Sequence, residues 1–173
     1  HGIVPDMITM GNPMGNGIPI SGLAAKEDVL AAFSDKLPYF NTFGGNPVSI
    51  AAAQAVLKYI KDENLQEHCK KAGAALLKAL KEVQERHPES VGDVRGAGLF
   101  LGFEFVKNDG NKTPDKDMAL NVIEMLRDEH ILTSVIGHYG NILKLRPPMV
   151  FSENDIDWFA TSLDKCITKL ENK

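Results

Sequence analysis

The chain has 173 residues, close to the roughly 100–200 residues typical of one domain, so it admits one domain or two small ones. About 70% of the unfolded surface is buried on folding at this size, and a hydrophobic content of 43% can supply that core without a disulfide scaffold. With 19 basic against 23 acidic residues the net charge is −4 and the signs are interleaved; this disfavours a phosphate-backbone binder, which carries a basic face or stripe. No run of about 18 apolar residues occurs, which excludes a membrane-spanning helix.

Residues 1–47 are rich in turn formers. Gly11, Pro13, Gly15, Gly17, Pro19, Pro38, Gly44, Gly45 and Pro47 separate short apolar pieces, which predicts short strands at Met7–Met10 and Ile18–Leu23 carrying loops. Pro47 fits a first helical position, and the alanine-rich segment after it predicts a helix ending near Lys61. Asn64 and Glu67 have capping-box spacing ahead of Leu65, Cys69, Ala72, Leu76, Leu80 and Val83, which predicts a long amphipathic helix closed by His87 and Pro88. The internal domain boundary is placed there. Beyond it we expect a strand over Leu99–Val106 and a helix opened by Thr113 and Pro114. Strands over Ile131–Val135 and Ile142–Arg146 follow, then a final helix capped by Ser152 and Asp155. This second half reads as a small α+β unit. Cys69 and Cys166 lack metal or redox spacing and read as free thiols of a reducing, cytoplasmic compartment.

Three loops have residues suited to chemistry. In Gly11–Gly17 the glycines let backbone amides approach a bound group, although a plain turn accounts for the same spacing. In Asn41–Pro47 a hydroxyl and two glycines lead into a helix N-terminus, where a phosphate could sit with Thr42 as donor; Asn46 reads equally as that helix's N-cap. Before Pro147 and Pro148, alternation puts Lys144 and Arg146 on one strand face, which suits an anionic substrate or a solvated edge carrying charge.

Taken together these loops resemble a known family. Val4-Pro5-Asp6-Met7-Ile8-Thr9-Met10-Gly11, Gly15-Asn16-Gly17-Ile18-Pro19, Thr42-Phe43-Gly44-Gly45-Asn46-Pro47, Gly92 to Leu99 and Leu143 to Met149 occur in the order and separations of class III aminotransferases, pyridoxal-phosphate enzymes of fold type I. The resemblance implies an α/β chain that begins inside a longer protein. Residues 1–87 would be the end of the large cofactor domain with a connecting helix, and residues 88–173 the small C-terminal domain. It further implies a homodimer, a small-molecule amino donor and a 2-oxo acid as substrates, no metal, and Thr42 donating to the cofactor phosphate of the neighbouring subunit.

One departure stands out. The family has its Schiff-base lysine where this chain has Asn12, and an amide is neither nucleophilic nor basic enough to form and work an imine. Lys26 and Lys36 lie on other segments. The family's N-terminal cofactor contacts are also missing, so weak or absent pyridoxal-phosphate binding and no transamination are expected of the chain as written. Lys144 stands where many members have arginine, and this resembles the branch of ethanolamine-phosphate phospholyases, which act on amino-alkyl phosphates. A non-catalytic relative serving as a structural or dimerisation partner fits Asn12 as well. His68, His87 and His130 read as surface or capping residues. His138 and Tyr139 belong to a turn or border the substrate, and Arg95 reads as a structural tie through its fork of donors.

Overall fold

The computed structural model describes residues 2–172, and at Asn12 the backbone alone. Two compact units divide between Asn64 and Leu65. This lies on the N-terminal side of the long helix, whereas the sequence reading put its boundary on the C-terminal side.

In the first unit, β1 (Met7–Met10) pairs antiparallel with β2 (Gly22–Ala25), Met7 opposite Ala25 and Met10 opposite Gly22. The second strand was expected four residues earlier, from its apolar start at Ile18. The pairing instead begins at Gly22, where a glycine lets the Met10 and Met14 methyls close over the backbone. A short helix not anticipated from the sequence, α1 (Glu27–Ser34), follows with two carboxylates in its first turn, the favourable end of the dipole. Helix α2 (Pro47–Asp62) begins on Pro47 as expected.

The second unit opens with α3 (Leu65–Arg86). Its N-terminus has no Asn64 cap: Asn64 has φ 49°, and its N–H donates to the Lys61 carbonyl. An N-cap needs extended backbone, whereas a left-handed asparagine ends the preceding helix, so the residue closes α2. Strands β3 (Val91–Ala97), β4 (Phe100–Phe105), β5 (Ser134–Ile136) and β6 (Ile142–Leu145) form one antiparallel sheet in the order β3-β4-β6-β5. Between them lies α4 (Lys116–Asp128), capped by Asp115 rather than by Thr113, because Pro114 is still bridged to Val106. The last helix, α5 (Glu153–Glu171), carries the expected reciprocal Ser152–Asp155 capping box.

One face of this sheet is covered by α3, α4 and α5. Leu101, Phe103, Phe105, Leu143 and Leu145 point into a core shared with Leu76, Leu80 and Val83 of α3, Val122 and Leu126 of α4, and Leu163 and Ile167 of α5. The expected small α+β unit is thus a two-layer one. Contact between α3 and the β3–β4 turn is close: a Cβ on Gly73 would lie 2.2 Å from the Gly98 carbonyl, and Gly98 itself has φ 55°. Among the described residues, no helix is long and apolar enough to cross a membrane.

Candidate functional site

The turn after β1 is a one-turn 3-10 helix over Asn12–Gly15, braced by Met14 N–H donating to the Gly11 carbonyl at 3.1 Å and Asn16 N–H to that of Pro13 at 3.1 Å. Gly15 is buried, with Ile20 against it so closely that a Cβ would stand 2.8 Å from Cγ2. The backbone thus puts residue 12 two positions after the strand, as the first residue of the turn; its side chain lies outside what is described. Lys26 is held at the other end of the hairpin, its Nζ 2.6 Å from Asp6 Oδ1 and its N–H on the Asp6 carbonyl. Lys36 lies beyond α1, exposed.

The loop before α2 is organised by two asparagines. Asn41 Oδ1 accepts from the N–H groups of Phe43 and Gly44 at 3.2 and 3.0 Å. Asn46 Oδ1 accepts from Val48 and Ser49 at 2.9 and 3.3 Å, and its carbonyl takes Ile50 N–H. Pro47 has no N–H, so the first-turn donors of α2 are all engaged. This bears on the phosphate reading: Asn46 is the N-cap, and the helix end contributes its dipole but no free amide. Thr42 is exposed, and among the described residues its hydroxyl has no hydrogen-bond partner. Asn41 was not singled out from the sequence. Its spacing of two and three residues from glycine-rich backbone is the signal that marks it.

In the second unit the sheet face turned away from the helices carries Phe100, Gly102 and Glu104 on β4, Ile142 and Lys144 on β6, and Asp93 and Arg95 on β3. Lys144 is half-buried in mid-sheet, opposite Gly102 on one side and Ser134 on the other. Its carbonyl also accepts from the Thr133 hydroxyl at 3.2 Å. Among the described residues no carboxylate lies within 4.0 Å of its ammonium. Arg146 follows the end of the strand; it is exposed, with its guanidinium 5.7 Å from the centre of the Phe100 ring.

Arg95 Nη1 donates to Asp93 Oδ2 at 2.6 Å and to Glu104 Oε2 at 2.7 Å, which is the structural tie expected of it. Those bonds, Glu104's first, raise the guanidinium's already high pKa. Glu104 was missed in the sequence, although the alternation of Leu101, Phe103 and Phe105 puts it on the outward face.

Lys144 and Arg146 also border an open cleft of about 550 Å³ that includes Thr133, Ser134, His130 and Trp158. Two histidines do more than the sequence suggests: His68 is half-buried with Nε2 3.0 Å from the Phe151 carbonyl, and His87 is not a surface residue but buried between Glu171 and Asp164 at 2.7 and 3.1 Å. Both serve as ties between α3 and the C-terminal segment. His138 and Tyr139 form an edge-to-face pair in the β5–β6 turn. Cys69 and Cys166 are free thiols, and burial raises the pKa of both.

Residues 1–167 match the family model Aminotransferase class-III. The chain is 45% identical over 168 residues to ethanolamine-phosphate phospho-lyase homolog 1 of Caenorhabditis elegans, covering 96% of this chain and 36% of the relative. It is 36% identical to the mitochondrial alanine–glyoxylate aminotransferase 2 homolog 2 of Arabidopsis thaliana, covering 98% and 35%. Among solved structures it superposes on a phospholyase from Arthrobacter in complex with phosphoethanolamine with a TM-score of 0.93 at 37% identity, over 96% of this chain and 39% of that one. A transaminase from the marine bacterium Virgibacillus gives 0.90 at 28%, over 98% and 40%. The chain thus spans about a third of the length of the curated relatives it matches, with the fold type I architecture of these enzymes. On a match that takes in nearly all of its residues, the chain belongs to the class III aminotransferase family.

Proposed function

We propose that the chain is the C-terminal, anion-binding part of a pyridoxal-phosphate-dependent enzyme that moves an amino group between an amine or amino acid and a 2-oxo acid, and that the chain as written does not carry out this transfer. The family uses pyridoxal phosphate, which supplies an electron sink for the substrate's amine carbon. The residues present here do not fit covalent attachment of that cofactor. An amide replaces the amine at position 12, and Lys26 stands at the opposite end of the hairpin beside Asp6; for the phosphate, Asn46 already occupies the first-turn amides of α2. Thr42 retains a free hydroxyl for a phosphate, which one donor holds only weakly.

The observation that carries the anionic-substrate reading is Lys144, an ammonium left without a carboxylate on a sheet face where Asp93 and Glu104 are both paired with Arg95. A second reading, elimination of phosphate from an amino-alkyl phosphate, is favoured by the same residue. A compact ammonium holds phosphate as a point charge, where arginine would grip a carboxylate through two parallel bonds. Similarity to a phospho-lyase homolog and to a phospholyase structure supports this reading. The exposed apolar side chains of the first unit, Leu57 and Tyr59 of α2 among them, fit a surface that a second subunit covers. The free thiols fit a reducing compartment such as the cytoplasm.

Borohydride reduction of the chain with pyridoxal phosphate, followed by peptide mapping, tests the first part. The expected result is scattered substoichiometric labelling, and a stoichiometric adduct on one lysine would sink it. In a longer enzyme of this family bearing lysine at position 12, Lys144→Arg should raise kcat/KM for α-amino acids relative to amino-alkyl phosphates. Lys144→Ala should lower both, and unchanged values would remove Lys144 from the site.

A further inference from the structure

Glu104 sits between two cations. On β3 and β4 Arg95 is opposite Gly102 and Asp93 opposite Glu104; on β4 and β6 Lys144 is opposite Gly102 and Glu104 opposite Ile142. All the charged members of this set point away from the helices. Glu104 is therefore the diagonal neighbour of Arg95 on one side and of Lys144 on the other, and diagonal pairs on adjacent strands lie about 7–8 Å apart, within reach of long side chains. The competition is decided in favour of arginine. Glu104 Oε2 accepts from Arg95 Nη1 at 2.7 Å, and its Oε1 leans on the Asn141 amide at 3.5 Å. Asn141 is itself buried and anchored to the Phe105 carbonyl at 2.7 Å, which gives the carboxylate a fixed neighbour.

We infer that Arg95 is a positioning residue for the anion site: by holding Glu104 it keeps the Lys144 ammonium free to meet an anion. Arginine suits the task because it stays charged at every working pH and offers several donors, so it can hold Asp93 and Glu104 at once. Gly102 contributes by omission. It lies opposite both cations and has no side chain, and a Cβ there would meet only Ile142 Cγ2, at 3.2 Å. On its other flank Lys144 faces Ser134, which is neutral. If Arg95 is removed, the diagonal carboxylate is released toward Lys144 and competes with any incoming anion. The inference rests on the reading of Lys144 as an anion binder, and the two can fail separately.

The test measures acylation of the Lys144 amine by trace acetic anhydride in the 173-residue chain, read by peptide mass spectrometry with Lys26 as internal reference, with and without inorganic phosphate. Glu104→Gln should leave the Lys144 rate unchanged, because the carboxylate is already withheld from it. Arg95→Met should slow Lys144 by about two- to five-fold, the range expected of one new cross-strand ion pair. Arg95→Lys should retain most of the wild-type rate, and Arg95→Met with Glu104→Gln should restore it. A faster Lys144 in Glu104→Gln, or an unslowed one in Arg95→Met whose reference lysine is unchanged, overturns the inference. Should Arg95→Met disturb the fold and speed all lysines alike, Arg95→Gln, which keeps a polar side chain without the charge, takes its place with the same slowing expected and the same unslowed result overturning the inference. Phosphate should protect Lys144 in the wild-type chain and less so in Arg95→Met. If the variants behave as expected and phosphate protects neither, the anion reading falls while the hold of Arg95 on Glu104 stands.

Discussion

The two compact units differ in what holds them. In residues 65–173 three helices bury one face of a four-stranded sheet, and Phe103, Phe105, Leu80 and Leu163 are wholly inaccessible. In residues 2–64, Gly15 alone among the described residues is buried, while Phe40, Phe43, Val48 and Leu57 are all more than half exposed. Local signals, namely two asparagine-based turns, a proline start and a hairpin, are enough to define the backbone of the first unit. They do not give it a core, and a chain that buries little apolar surface has little to set against its conformational entropy.

The strongest way to break this comparison is to cut the chain. A fragment of residues 65–173 should unfold cooperatively, and Phe103→Ala in it should cost about 3–5 kcal/mol in urea denaturation. Leu57→Ala in the whole chain should change stability by less than about 0.5 kcal/mol. An equal loss from Leu57→Ala would mean that the first unit has a core after all. Next in size is Gly73→Ala, which gains helix propensity but drives a methyl into the Gly98 carbonyl; a net loss of about 1–3 kcal/mol is expected from the same denaturation experiment. Asn46→Ala should remove about 1 kcal/mol of local protection, seen as faster hydrogen exchange at Val48 and Ser49 with no change in the melting of residues 65–173. The smallest effect concerns pH. The Ser152 hydroxyl, and then its amide, hold the Asp155 carboxyl below the ordinary value. A lowered carboxylate stabilises the fold above its unfolded pKa and loses that contribution as pH falls through the folded one. Asp155→Asn should therefore flatten the acid side of the urea-midpoint curve and leave the neutral side displaced by a constant amount.

What could be read from the sequence follows the same division. The apolar spacing of α3 and α5 predicts both helices because their partners lie on one side and impose a single stripe. The strand Val91–Ala97 escaped notice as a strand because two glycines and an alternating Asp93 and Arg95 on the open face dilute its apolar signal. Asn64 misled because one residue type fits both ends of a helix, and only its φ decides. The outward direction of Lys144 follows from alternation. The capture of Glu104 by Arg95 does not, since it depends on β4 standing between β3 and β6, a matter of strand order that no single-strand pattern contains.

The meeting of Gly73 with the β3–β4 turn also sets the phase of α3. Small residues surround that point, Ala72, Ala74 and Ala75, and such a stretch could slide or roll against a sheet with little change in buried area. A shift of one residue rolls a helix by about 100° and would bring a methyl, instead of a hydrogen, against the Gly98 backbone. The glycine therefore works as a detent with one seat. The apolar stripe supplies adhesion and the detent supplies alignment, so the stripe can drift in composition without the helix losing its place on the sheet.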